Sequence, residues 1–358
     1  MTSIALIGAG KIGRMVANFL GGCGDYSIRV IDLSPTAIER LCSKAKNCSG
    51  EAGDFTEPAT LDKIMEGADA VISCAPYHCN PLIAERAKTQ RLHYFDLTED
   101  VKVTDQVIAL AADAETAFAP QCGLAPGFIT IVAKHLLQRM TDVTDLRMRV
   151  GALPRYPDNR LKYNLTWSTE GLINEYCQPC EVLLDGKLTQ VQPLENMEEI
   201  TIDGVRYEAF NTSGGLGSLA QTLKGQVPNV SYKSIRYPGH NHLLKFLLED
   251  MRLKDDPDAL AAMWNSNLPT TYKDQVVIFV TAIGQQSGRL TESVFARTVY
   301  HQEIDGENWS GIQITTAAGV CGVVDLLFEG KVPQKGFVRM EDIDYQSFIT
   351  NRFGRYYA

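Results

Sequence analysis

The chain opens with "SIALIGAGKIGRMVANFL", residues 3–20, where a short apolar run meets three glycines and then an amphipathic pattern. Gly8, Gly10 and Gly13 stand in the spacing G-x-G-x-x-G. "IALIG" reads as a buried strand, and "KIGRMVANFL" as a helix with Ile12, Val16, Phe19 and Leu20 on one face. Each glycine between them has its own task. One permits the tight turn, one lets a pyrophosphate approach the backbone, and one lets helix and strand pack closely. The helix start then offers N–H groups and a positive dipole end to phosphates. Glycine turns alone are common, so the context decides. "YSIRVIDLS" supplies a second strand ending on Asp32, 19 positions beyond Gly13, where a carboxylate accepts hydrogen bonds from adenosine ribose hydroxyls. Together these features predict a dinucleotide site.

Asp32 also bears on which dinucleotide binds. Its carboxylate repels a 2′-phosphate, and Leu33, Ser34, Pro35 and Thr36 supply no cation to neutralise one. NAD is therefore expected ahead of NADP. Lys11 and Ile12 sit on the glycine turn, and Leu33 follows the ribose carboxylate. "CAPYHCN" follows the strand "ADAVISCAP", which places Cys74, Ala75, Pro76, Tyr77 and Asn80 at the carboxyl edge of a parallel sheet. "FDLTED" puts Asp96 and Thr98 on the same edge. "APQCGLAPGF", residues 119–128, adds a shaped turn with Cys122 and Gly123, expected beside the nicotinamide.

Strand and helix patterns alternate over residues 1–125, the form of a Rossmann-type, doubly wound parallel sheet in an α/β domain. After Gly127 the rhythm changes. "DLRMRVGALP", "CEVLLDGKLTQV", "EITIDGVRYEAF", "QVVIFVTAIG" and "SVFARTVYHQ" read as strands, two with "DG" hairpin turns, so residues 126–308 form an α+β domain with a mainly antiparallel sheet. Residues 309–358 begin with "GIQITTAAGVCGVVDLLFEGK", an apolar, small-residue-rich helix suited to pack back on the first sheet. Long antiparallel edges and an apolar face need cover, so a homodimer is expected.

Composition excludes several classes. The net charge of −9 leaves no broad basic face for nucleic acid. No apolar run is read as approaching the ~18 residues of a membrane span. With no charged leader at the start, a cytoplasmic location is the expectation. Nine cysteines include one "CQPC" pair at Cys177 and Cys180, but no second pair completes a zinc site, so no metal is expected.

The second domain gathers titratable side chains. "RLKYNLTWSTEGLINEYCQP" holds Arg160, Lys162, Tyr163, Trp167, Ser168, Glu170, Glu175 and Tyr176, while "FNTSGG" and "IRYPGHNH" add Asn211, Thr212, Ser213, Arg236, His240 and His242. With "GAGKIG", "FDLT" and "CGLAPG", the segments "YNLTWSTEGLINEY", "EAFNTSGGLGSL", "IRYPGH" and "KGFVRMEDIDYQSFITNRFGRYY" resemble the saccharopine dehydrogenase/lysine 6-dehydrogenase family over nearly the whole chain. The likeness is strongest to the lysine 6-dehydrogenase branch. It implies a dinucleotide-binding domain built from both chain ends and a substrate and dimerisation domain between them. It also implies an NAD(P)-dependent dehydrogenase acting on CH–NH₂ or CH–NH groups, with oxidative deamination of an amino acid or amine as the leading reading. A saccharopine- or carboxynorspermidine-type enzyme that forms a C–N bond reductively is the alternative. A dinucleotide-binding sensor without turnover is a third, and the density of titratable residues stands against it.

Such chemistry needs a base for the amine and a cation for the substrate carboxylate. His240 or Glu170 fits the base, and Arg236 the carboxylate. Lys162 and Tyr163 suit proton transfer or polar contact, and Trp167 and Thr212 suit substrate binding. Structural duties compete for the same residues. His240 could start the helix "NHLLKFLL", Ser168 or Thr169 could cap "WSTEG", and Trp167 could be core.

Overall fold

The computed structural model describes residues 1–358, which divide into two compact units: Met1–Ile131 with Gln313–Ala358, and Val132–Ile312. In the first unit, strands β1 (Thr2–Ile7), β2 (Tyr26–Asp32), β3 (Cys48–Ala52), β4 (Ala70–Ser73), β5 (His93–Phe95) and β6 (Ala117–Ala119) pair in parallel. Helices α1 (Lys11–Cys23), α2 (Pro35–Cys42), α3 (Pro58–Met65), α4 (Asn80–Gln90) and α5 (Val101–Ala111) alternate with them, and α6 (Phe128–Leu137) follows β6. A late strand, Gly336–Phe337, joins beside β6 to give the seven-stranded order Gly336–Phe337, β6, β5, β4, β1, β2, β3. The chain winds outward from β1 in both directions, so the order reverses between β1 and β4. Open parallel sheets bind ligands at that crevice.

Local chemistry explains these elements. Ile4, Ala5, Leu6 and Ile7 are fully buried, as a central strand covered on both faces requires. α1 buries Met15, Val16, Phe19 and Leu20 and ends on Gly24 at φ +86°, a left-handed cap that glycine adopts without strain. Ser34 accepts a hydrogen bond from the Ala37 N–H to start α2, with Pro35 next. β3 and α3 escaped the sequence reading. β3 ("CSGEA") is a polar, half-exposed edge strand, and α3 is only eight residues long.

The helix Gly311–Phe328 returns the chain to the first unit. It is 18 residues long and apolar enough to span a bilayer, which corrects the expectation that no segment approaches that length. Its residues are 89% buried inside the fold, the condition of a core helix. A Cβ at Gly319 would stand 2.4 Å from the Gly123 carbonyl, so only glycine allows the helix to lie this close to the turn after β6. Asp325, 2% exposed, accepts hydrogen bonds from Tyr26 on β2 (2.7 Å), Asn351 (2.7 Å) and Arg352 (2.5 Å).

The second unit holds β7 (Thr141–Pro154), β8 (Cys180–Leu184), β9 (Lys187–Val191), β10 (Glu198–Ile202), β11 (Val205–Asn211), β12 (Asn229–Arg236), β13 (Asp274–Gln286) and β14 (Arg289–Tyr300). Their order is β10, β11, β12, β7, β13, β14, with β8 pairing β12 and β9. Every pair is antiparallel except β12 with β7. The sheet is thus mainly antiparallel, as expected, but β12 was not anticipated because "NVSYKSIR" is too polar to read as a central strand. Both Asp-Gly turns behave as their chemistry demands. Asp185 and Gly186 lie at φ +49° and +77°, and Asp203 and Gly204 at +50° and +78°.

Helices α7 (Thr169–Cys177), α8 (Leu219–Leu223), α9 (His240–Lys245) and α10 (Pro257–Asn267) lie in this unit, with a small hairpin of Gln302–Ile304 and Glu307–Trp309. Leu172, Ile173 and Tyr176 of α7 join Leu244, Leu260, Trp264 and Phe210 in one apolar cluster. A second cluster is built from strand residues Leu153, Ile202, Tyr207, Ala209, Ile235 and Val277, with Ile200, Tyr237 and Phe279 half-exposed against it. Alternation along β11 puts Phe210 and Ala209 on opposite faces, so the clusters occupy opposite sides of the sheet.

Asp325→Ala should strip Tyr26, Asn351 and Arg352 of a shared buried acceptor and lower stability by about 2–4 kcal/mol in urea unfolding. A loss well under ~1 kcal/mol would mean that water replaces the carboxylate without cost.

Candidate active site

The glycine turn is built by close approach. Gly8 sits at φ +101° with its missing Cβ 2.8 Å from the Cys74 carbonyl, and a Cβ on Gly13 would stand 2.0 Å from the Gly8 carbonyl. Gly10 differs: a Cβ there meets nothing within 4 Å, and no side chain caps α1 at this position. This start of α1 suits a pyrophosphate, whose approach a side chain at residue 10 would obstruct. Asp32 accepts hydrogen bonds from the Ala9 N–H (2.7 Å) and the Ser34 N–H (2.8 Å), so the turn itself fixes the carboxylate. Each oxygen keeps a lone pair for a ribose hydroxyl. Lys11 and Leu33 are exposed and Ile12 half-buried, around the same turn. The residues present fit a dinucleotide.

Further along the edge, Pro76 is exposed and Cys74, Ala75 and Tyr77 are half-buried. Four of the expected cofactor residues hold their side chains inward. Asp96 is wholly buried, and its carboxylate accepts from Tyr94 (2.7 Å), the Thr98 N–H (3.0 Å) and the Gln121 N–H (2.9 Å). Burial holds its carboxyl above the ordinary value. The Thr98 hydroxyl accepts from Asp100 N–H, the Cys122 thiol donates to the Asp96 carbonyl, and Asn80 accepts from Ser73. These side chains shape the connections after β4, β5 and β6 from within. Gly123 is also buried, and its carbonyl accepts from the Phe128 N–H.

In the second unit a guanidinium is buried among aromatic rings. Arg236, 3% exposed at the end of β12, donates from Nε to the Tyr176 hydroxyl (2.7 Å) and from Nη1 to the Ile235 carbonyl (2.9 Å). It lies 5.1 Å from the Tyr163 ring centre and 5.5 Å from that of Tyr176. His240, 1% exposed, has Nδ1 2.8 Å from the Leu161 carbonyl and Nε2 3.2 Å from the Tyr176 hydroxyl. A carbonyl only accepts, so the proton sits on Nδ1 and Nε2 accepts from Tyr176. The result is one directed chain: Arg236 to Tyr176 to His240 to Leu161. Burial first, then the Arg236 charge, push His240 down to about 3, so its imidazole is neutral near pH 7.

Glu175, also buried, has Oε2 3.7 Å from Arg236 Nη2. Burial pushes its carboxyl up to about 7, while Arg236 and the Ser234 hydroxyl pull the other way. Beside this fixed cation the carboxyl moved up to about 7 is suited to proton transfer near neutrality, while the neutral imidazole is suited to accepting a hydrogen bond. The Tyr163 hydroxyl makes no hydrogen bond, with Thr166 and Trp167 as its polar neighbours; Asn164 Oδ1 and Thr166 Oγ1 are likewise buried without a partner. Glu208, opposite Arg236 in the β11–β12 register, accepts from the N–H groups of Gly239 (2.8 Å) and Asn241 (2.5 Å). It thereby clamps the start of α9 on both sides of His240.

The structure brings Arg236, His240 and Tyr163 together, and Glu170 is not among them. That side chain is exposed and accepts from Ser168, whose hydroxyl caps α7 at the Gly171 N–H. Glu175 and Tyr176, one turn later on the inward face, were named in the sequence but given no role. Lys162 donates to the Pro238 carbonyl at 2.9 Å, and Thr212 shares a 2.8 Å hydrogen bond with Ser234. Trp167 is half-buried against the cluster of α7, α9 and α10, in line with the core reading. No group of three His, Cys, Asp or Glu side chains is placed to hold a metal, at Cys177 and Cys180 or elsewhere.

Two family models match this chain: "Saccharopine dehydrogenase NADP binding domain" over residues 4–119 and "Saccharopine dehydrogenase C-terminal domain" over residues 123–355. Mouse mitochondrial alpha-aminoadipic semialdehyde synthase is 21% identical over 86% of this chain, which spans 35% of that protein. The saccharopine dehydrogenase [NADP(+), L-glutamate-forming] of Pyricularia oryzae is 21% identical over 87% of this chain and 71% of its own length. Among solved structures, apo saccharopine dehydrogenase (L-Glu forming) from Saccharomyces cerevisiae superposes with a TM-score of 0.81 at 16% identity, covering 99% of this chain and 98% of that one. The homospermidine synthase of Legionella pneumophila, solved with NAD, gives 0.69 at 14% identity, covering 99% and 89%.

Glu175 holds its proton more tightly in the folded chain than at its ordinary value of 4.5. Its contribution therefore favours the fold below that value and is lost as pH rises to about 7. Between about pH 5 and about pH 8, wild-type stability in urea should fall by roughly 2–3 kcal/mol more than that of Glu175→Gln. Equal falls in both proteins would mean that the carboxyl is not buried as a charge.

Proposed function

Because the chain belongs to the saccharopine dehydrogenase family, we propose that it is a pyridine-nucleotide-dependent oxidoreductase acting on the C–N bond of an amino acid. NAD is the favoured cofactor, and oxidative deamination of a lysine-like substrate is the leading reaction. The observation that carries this reading is the buried Arg236–Glu175–Tyr176–His240 cluster, a fixed cation with a proton acceptor beside it.

In this reading the glycine turn, Asp32 and Leu33 hold the dinucleotide in the first unit. When bound, the nicotinamide supplies the hydride acceptor. Arg236 has five N–H donors in a planar fork and uses two on Tyr176 and Ile235, which leaves donors for the substrate carboxylate. Glu175 takes the role first given to His240 or Glu170: near pH 7 it accepts a proton from the substrate ammonium, releases it to solvent, and then takes a proton from the water that attacks the imine carbon. His240 stays neutral and orients Tyr176, and Tyr163 offers its unengaged hydroxyl to a polar group of the substrate. A reductive, C–N-forming reaction is the second reading, favoured by the L-glutamate-forming names of relatives. NADP is favoured by the family-model description, whereas Asp32 favours NAD. A homodimer is supported by the strand cluster carrying Ile200, Tyr237 and Phe279, whose partial exposure would be relieved by a second copy.

Following NADH absorbance against a panel of amino acids and diamines should reveal turnover with a substrate that carries both an amine and a carboxylate. Replacing Arg236 by lysine should raise KM about tenfold or more with a smaller change in kcat, because a point charge cannot reproduce the fork. NAD should bind better than NADP, and Asp32→Ser combined with Leu33→Arg should narrow the gap. Cofactor binding without turnover on any substrate would leave the sensor reading in place of the enzyme.

A further inference from the structure

Two of the nine cysteines lie side by side away from the clusters described above. Cys42 is the last residue of α2 and Cys48 the first of β3, and their Sγ atoms are 2.8 Å apart. Both are thiols, and both are only partly buried. The backbone holds them there from three sides. Cys48 is in parallel register with Ile28 of β2, and the Ile28 N–H donates to the Asn47 carbonyl at 2.8 Å. Asn47 takes a left-handed φ of +50° and donates from its side chain to the Gly21 carbonyl at 3.0 Å. Gly21 itself tolerates no Cβ, which would stand 2.0 Å from the Lys46 carbonyl. The Ser43–Asn47 connection is thus seated on α1, and neither sulfur has far to move.

We propose that Cys42 and Cys48 form a reversible intramolecular disulfide when the protein meets a low-molecular-weight disulfide such as oxidised glutathione. The Cys42 thiolate attacks one sulfur of the oxidant and expels one thiolate, leaving a mixed disulfide on Cys42. The Cys48 thiolate then attacks the Cys42 sulfur, forms the protein disulfide and expels the second thiolate. Two protein thiols are oxidised, one small disulfide is reduced to two thiols, and the two protein protons pass to the leaving groups. Burial, then the hydrogen bond with Cys42 and the neighbouring Cys42 charge, push the Cys48 thiol up. Once Cys42 carries the mixed disulfide, its hydrogen bond and charge no longer oppose ionisation of Cys48. The link closes a short ring through Ser43–Asn47 and braces α2 to β3, the helix that follows Asp32 and the strand paired with β2.

The test is to incubate the reduced, full-length protein with oxidised glutathione, block remaining thiols with N-ethylmaleimide, digest, and identify peptides by mass spectrometry. The expected product links Cys42 to Cys48 with the loss of two hydrogens and no maleimide on either residue, and dithiothreitol restores both alkylation sites. In Cys48→Ser, Cys42 should accumulate as the stable glutathione adduct, since the resolving thiol is absent. Recovery of maleimide on both residues after oxidation would overturn the proposal. So would separate glutathione adducts on each residue with no link between them.

Discussion

A guanidinium in the interior of the second unit governs what surrounds it. Arg236 stays charged at any working pH, and removing it from water is costly unless its donors and its field are answered locally. Tyr176 and the Ile235 carbonyl take two donors, and the faces of Tyr163 and Tyr176 meet the charge. The remaining counter-charge is incomplete, because Glu175 is 3.7 Å away and holds a proton up to about pH 7. With two donors used on Tyr176 and Ile235, the guanidinium keeps N–H groups that a further acceptor can engage. Burial first, and then the same field, explain why His240 resists a second proton and serves as an acceptor for Tyr176.

How much of this was legible in the sequence follows from how local each cause is. The turn at Gly8, Gly10 and Gly13 depends on neighbours a few residues away, and so does its placement between strand and helix. The Asp-Gly hairpins are legible for the same reason. β12 is not, since it is held by β7 and β11 on either side rather than by its own composition. Asp96 was placed on the right edge but turned the wrong way, because the backbone N–H groups of Thr98 and Gln121 draw the carboxylate inward. Glu170 and Glu175 look equivalent in a string of letters. The difference is that Ser168 starts α7 with Glu170 facing water, and the helical turn then carries Glu175 and Tyr176 to Arg236.

The helix Gly311–Phe328 illustrates a limit of composition as a guide. A helix enclosed by protein and one enclosed by lipid both need an apolar surface, so length and hydropathy do not distinguish them. Its contacts do. Gly319 admits the carbonyls of the turn after β6, Gly322 faces the ring of Phe348, and Asp325 sits in a hydrogen-bonded network that hydrocarbon would not supply.

That network joins residues far apart along the chain: Tyr26 and Asp325 are separated by 299 positions. The first unit therefore requires both Met1–Ile131 and Gln313–Ala358, while Val132–Ile312 is continuous. During synthesis the ribosome delivers the early strands long before the helix and edge strand that cover them. The inserted unit has all of its residues available first. Its early closure would shorten the effective loop between the two halves of the first unit, and so reduce the entropy lost when they meet. Under this ordering, the nascent parallel sheet is the part of the molecule with the longest exposure to chaperones and to wrong partners.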